Sequence, residues 1–109
     1  MSKPTNLVQG TLDLLILKIL NLEPMHGWAI VERLKQMSKD ELHIGPGSLY
    51  PALHKLEREG WIQGEWLASE TDRRVKLYSI TKEGRKRLRV EAADWKRLSG
   101  AISAIVFAE

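Results

Sequence analysis

Cysteine is absent from the 109-residue chain, which excludes disulfides and thiolate metal sites. The three histidines stand without an acidic cluster of ligand spacing, so neither a structural metal nor a cofactor is expected. The opening Met-Ser-Lys-Pro-Thr-Asn lacks a signal-peptide pattern. The apolar run from Leu12 to Leu22 is broken by Asp13, Lys18 and Asn21 and is too short to span a bilayer. A soluble cytoplasmic protein with no membrane partner is the resulting expectation. No Ser–His–acid set and no paired carboxylates have a suggestive spacing, so catalysis is not expected. There is no internal repeat and no low-complexity segment.

What remains is a moderately basic, foldable chain. A hydrophobic fraction of 43% suffices for one packed domain and is too high for disorder. The net charge of +3 is a mild hint of a polyanionic partner, so its distribution carries more weight. Eight cations (Arg73, Arg74, Lys76, Lys82, Arg85, Lys86, Arg87 and Arg89) lie between 73 and 89 against one acid, Glu83.

Residues 45–61 carry the clearest local signal. Leu49, Leu53 and Leu56 recur at helical spacing and form one apolar stripe. Ser48, Pro51, His54, Lys55 and Arg58 fall on the opposite side. Gly45-Pro46-Gly47 interrupts any preceding helix, Ser48 is an N-cap residue, Pro51 then falls in the first turn, and Gly60 ends the helix. The spacing therefore predicts a helix over 48–59. Its basic face suits a DNA major groove. An amphipathic core helix with solvated charges fits these residues alone equally well.

The first helix is expected over 9–22, with Thr11 as N-cap and Asp13 in the first turn. Apolar residues run almost all round it, so one side, including Leu12 and Ile16, is expected to meet a second chain. A turn at Glu23-Pro24-Met25 leads to a helix over 26–38 with Ile30, Leu34 and Met37 inward. His26 and Trp28 stand at its start; His26, beside Gly27, is read as a packing or phosphate contact in preference to a group that polarises a substrate. Residues 61–67 and 75–81 are of strand length and composition, with a polar tip between them and Tyr78 and Ile80 pointing inward. Thr81 can cap a last helix from 82 to about 107, with Gly84 allowing close approach. On it Leu88, Trp95 and Ile102 are seven apart, and Leu98 and Ile105 fill the alternate seam. That is the pattern of a partner-facing helix.

The order of elements predicts a mainly α chain with a small β-hairpin: a winged helix-turn-helix over 1–81 and a dimerisation helix over 82–109, in one compact unit. Arg73, Arg74 and Lys76 then sit on a wing at 68–76, beside His54, Lys55 and Arg58. Like charge on adjacent elements forms a phosphate footprint. The competing reading is a winged helix used for protein–protein contact without sequence-specific DNA binding.

Gly47-Ser48-Leu49-Tyr50-Pro51-Ala52-Leu53, with Leu56-Glu57 and Gly60-Trp61-Ile62, resembles the PadR family of bacterial transcriptional regulators. His26-Gly27-Trp28-Ala29-Ile30 and the stretch from Arg73 to Gly84 are similar to the same family. The likeness covers about residues 9–106. It implies a homodimeric repressor on double-stranded DNA, with Ser48, Tyr50, Pro51, His54 and Lys55 facing the duplex and Ser48 and Tyr50 on phosphates. Arg73, Arg74 and Lys76 would reach the backbone or minor groove. The last helix would pair with the partner's first helix. Trp95 matches a tryptophan that lines an effector pocket in drug-responsive members, so it is either dimer-core packing or a platform for a small aromatic or hydrophobic effector. The single C-terminal helix is that of the short subfamily.

Overall fold

The computed structural model describes residues 9–68 and 74–109. Its elements run α1 (Gln9–Leu22), β1 (Met25–His26), α2 (Gly27–Met37), α3 (Pro46–Arg58), β2 (Ile62–Ala68), β3 (Arg74–Ile80) and α4 (Lys82–Val106). This is a winged helix with a long C-terminal helix. The three strands form an antiparallel sheet in the order β1-β3-β2. The β2–β3 hairpin pairs Ile62 with Ile80 and Trp66 with Lys76. β1 pairs Met25 with Tyr78 and His26 with Leu77. A two-residue strand has no periodicity of its own, so the sequence shows only a turn there.

Helix α1 is the centre of the core and touches α2, α3, β3 and α4. Leu12, Ile16, Leu17, Ile19 and Leu20 are all buried. The all-round apolar pattern thus reflects burial within one subunit. Leu12 and Ile16, expected at a dimer interface, are core residues instead. Leu88 is corrected in the same way: it lies in the same cluster. Leu14 and Leu15 remain half-buried.

The helix starts also differ from expectation. α1 already runs from Gln9, so Thr11 is inside it rather than its cap. Gly45 is the N-cap of α3 and Pro46 occupies the first turn. Ser48 therefore lies inside the helix, and Pro51 is an interior proline. It has no N–H to offer the Gly47 carbonyl, and both residues are exposed. Pro46 fits the first position because its fixed φ is already helical. In α2, Ile30 and Leu34 are buried, but Met37 is 55% exposed.

Three expected features are present. Gly60 adopts φ +78° after α3, a conformation that glycine reaches without a Cβ penalty. Tyr78 and Ile80 are buried. Thr81 caps α4, its hydroxyl oxygen accepting from the Gly84 backbone N–H at 3.0 Å. A Cβ at Gly84 would overlap the Trp61 carbonyl oxygen and crowd Ile80, so this glycine lets α4 start against the turn and the sheet.

Helix α4 is 25 residues long, about 37 Å at the helical rise. Only Gly84 and Leu88 of it are buried. Beyond them Trp95 (49%), Leu98, Ile102 and Ile105 (77%) form an exposed apolar stripe. No described helix is long and apolar enough to cross a membrane.

Candidate nucleic-acid interface

Leu49, Ala52, Leu53 and Leu56 anchor α3 in the core. That burial sets the rotation of the helix and turns Ser48, Tyr50, Pro51, His54 and Arg58 outward, all exposed. Tyr50 leans toward the start of α2. A Cβ at Gly27 would stand 3.3 Å from the Tyr50 hydroxyl oxygen, so the missing side chain gives the ring its place.

The start of α2 has no side-chain cap. Its N-cap residue His26 turns its ring away: Nδ1 lies 3.1 Å from the Lys76 carbonyl oxygen. A carbonyl only accepts, so Nδ1 carries the proton, and Nε2 is left for other partners. The free backbone N–H groups and positive dipole end of α2 favour an anion.

The wing completes a cleft. It has a volume of about 320 Å³ and is lined by His26, Gly27, Trp28, Tyr50, His54, Trp66, Arg74, Val75, Lys76 and Tyr78. The Arg74 guanidinium lies 5.3 Å from the Trp66 ring centre. The Lys76 ammonium lies 5.5 Å from Trp66 and 5.3 Å from Tyr78. Such cation–π stacking holds flexible cations in place at the cleft. Arg73 lies outside the described residues.

Two expected cations have acid partners. Lys76 Nζ donates to Glu57 Oε1 of α3 at 2.9 Å. That bond raises the Lys76 pKa above its ordinary 10.5, against desolvation, which lowers it. Lys55 Nζ donates to Asp13 Oδ2 of α1 at 2.7 Å, and the Asp13 side chain is only 8% exposed. Along α3 alone the basic side is free of acids, but α1 supplies one through the fold. The basic run from 73 to 89 divides likewise. Arg74 and Lys76 belong to the cleft, whereas Lys86 and Arg87 pair with Glu83 and Glu91 along α4.

Sequence reasoning missed Trp66 as a cleft residue, and Asp13 and Glu57 as partners of the cations. Trp28, at the start of α2, is 68% exposed and lines the cleft with Tyr50. Large exposed aromatics are the available signal, since they mark binding surfaces more often than scattered small apolar residues do.

At the other end of α1, a groove of about 150 Å³ lies between Gly10, Thr11 and Leu14 and the α4 residues Glu91, Asp94, Trp95 and Leu98. Pockets for small molecules are usually about 300–1,000 Å³, so within one subunit this groove lends no support to an effector site at Trp95. Among the described residues no cluster of His, Asp and Glu could hold a metal ion.

Residues 16–90 match the Transcriptional regulator PadR-like family. A transcriptional regulator from Clostridium thermocellum is similar in structure, with a TM-score of 0.82 and 27% identity over 93% of this chain and 96% of the other. A PadR family transcriptional regulator from Eggerthella lenta has a TM-score of 0.80 and 31% identity over 93% and 86%. A 37.1 kDa uncharacterized protein in a Streptomyces fradiae transposon is 37% identical over 83% of this chain, which spans only 24% of that protein's length.

Proposed function

This chain belongs to the PadR-like family of transcriptional regulators, and from that premise we propose that it is a homodimeric repressor reading a palindromic promoter site. The observation that carries this reading is the convergence of the outward face of α3, the uncapped start of α2 and the stacked cations of the wing on one cleft.

In this reading α3 enters the major groove. His54 and Arg58 present their polar groups to base edges or phosphates, and Ser48 and Tyr50 take the phosphates beside the helix start. Pro51 packs against the groove wall. The start of α2 receives a backbone phosphate. Arg74, together with Arg73, reaches the backbone or the minor groove, and Trp66 holds the Arg74 guanidinium in position.

The apolar stripe of α4 supports dimerisation. Trp95, Leu98, Ile102 and Ile105 are exposed in one chain, and contiguous apolar surface of this kind marks interaction sites. A second copy of the chain is the occupant, with its α1 groove around Leu14 receiving the stripe. Two heads held this way match half-sites about one helical turn, ~10 base pairs, apart or a multiple of it. Repression follows from occupancy of the promoter. A ligand could regulate it only by preferring one spacing of the heads.

Anisotropy titrations on a duplex selected from a random pool, repeated across salt concentrations, test the proposal. A steep salt dependence and a preference for the selected duplex are expected. A monomer in the ultracentrifuge, or no binding to any duplex at low salt, rejects it.

A further inference from the structure

We infer that Lys55 is a positioning residue that braces the reading helix against α1, rather than a contact to DNA. The inference rests on the DNA-reading function proposed above. Lys55 occupies the basic side of α3, where its spacing suggests a phosphate ligand. Yet its ammonium donates to Asp13 Oδ2 at 2.7 Å. Asp13 is the only charged residue among the buried ones described. Its other oxygen, Oδ1, is buried and has no hydrogen-bond partner. Among the described residues the bond to Lys55 is the one side-chain contact that satisfies this carboxylate. If Lys55 swung out to a phosphate, a buried charge would be left with no partner, which is strongly unfavourable.

The position of Asp13 gives the brace a further consequence. Its neighbour Leu14 and nearby Thr11 line the groove against Trp95 and Leu98. One turn of α1 thus carries the strut to α3 on one side and the contact with α4 on the other. The strut ties the orientation of the reading helix to the element that the proposed dimer packs on. It also removes one indiscriminate cation from each head, which favours sequence discrimination over general phosphate attraction.

The experiment measures anisotropy on selected and random duplexes from about 50 to 200 mM salt, a range over which each phosphate contact adds about 0.9 to the slope of log affinity against log salt. In Lys55→Met the slope is expected to stay at the native value, while affinity for the selected duplex falls. In Asp13→Asn the freed ammonium steepens the slope. Two added contacts per dimer make binding fall about tenfold further across that salt range. The preference for the selected duplex shrinks.

Should Lys55→Met fail to fold, the double variant Asp13→Asn/Lys55→Met removes both charges and is expected to keep the native slope. A flatter slope in Lys55→Met, or in the double variant, makes Lys55 a phosphate contact and overturns the inference. An unchanged slope and preference in Asp13→Asn overturn it too. Arg74→Ala serves as the control: if it flattens the slope while Lys55→Met does so as well, the DNA-reading function stands and only the brace falls. If the native protein binds no duplex, both fall.

Discussion

Lys76 reaches Glu57 by passing over Gly64. A Cβ at position 64 would overlap the Lys76 side chain and stand 3.3 Å from Glu57 Oε2. The absence of one side chain on β2 thus permits an ion pair of 2.9 Å between the wing and the reading helix. This pair links the wing to α3.

Gly64→Ala is expected to displace Lys76 and cost about 1 kcal/mol, because the obstacle is the flexible end of a side chain. Gly84→Ala meets the backbone carbonyl of Trp61, which cannot swing away, and is expected to cost about 3 kcal/mol. Urea unfolding gives both values. An equal or reversed order would show that the two close approaches do not differ in rigidity as described.

Alkaline pH is expected to weaken the fold. Burial raises the Tyr78 hydroxyl above its ordinary 10.0, and the Glu57 bond raises Lys76 above 10.5. Each group holds its proton in the folded chain beyond the pH at which the unfolded chain releases it. The stability they contribute is fully present below the unfolded values and is lost as pH rises through the folded ones. Urea midpoints measured from about pH 8 to about pH 11 should decline above about pH 10. Glu57→Gln removes the largest cause of the Lys76 shift and should show a shallower decline. Identical profiles would discount the ion pair.

His54 and Arg74 are expected to fail in different ways. Arg74→Ala should weaken binding evenly across sequences and reduce the salt slope by about 1 for each wing. His54→Ala should cost about 1–3 kcal/mol on the selected duplex alone, as for a base contact. Equal loss on random and selected duplexes would count against base reading by His54.

Exposed and buried apolar residues should also separate. Ile102→Asp places a charge on the exposed stripe of α4 and is expected to shift the protein to monomers in sedimentation and to remove the dependence of its unfolding midpoint on protein concentration. Ile16→Ala removes a side chain with no exposure and should cost about 2–5 kcal/mol of stability through transfer and cavity terms. A stable dimer of Ile102→Asp would place the interface elsewhere.

Much of this arrangement is written in local pattern. The stripe of Leu49, Leu53 and Leu56, the stop at Gly60, the alternation of Tyr78 and Ile80 and the cap at Thr81 depend on residues a turn or a strand apart. Neighbour chemistry settles such features, and the order of the elements then implies the winged helix. The polar face of α3 was legible for the same reason, since periodicity states which side of an element is turned away from its apolar stripe, and the basic wing was legible from its run of cations; the stacking of those cations on Trp66 was not.

Contacts between distant segments had no such signal. Nothing near Lys55 in sequence announces Asp13, 42 positions away, and nothing near Lys76 announces Glu57. The all-round apolar character of α1 stated that it must be covered but not by what; four surrounding elements cover Leu12 and Ile16 within one subunit. The sequence by itself therefore determined the elements, their faces and the family. Tertiary packing alone decided which cations are committed to carboxylates and which apolar side chains remain for a partner, because charge pairing and burial depend on distances in space that no local spacing encodes.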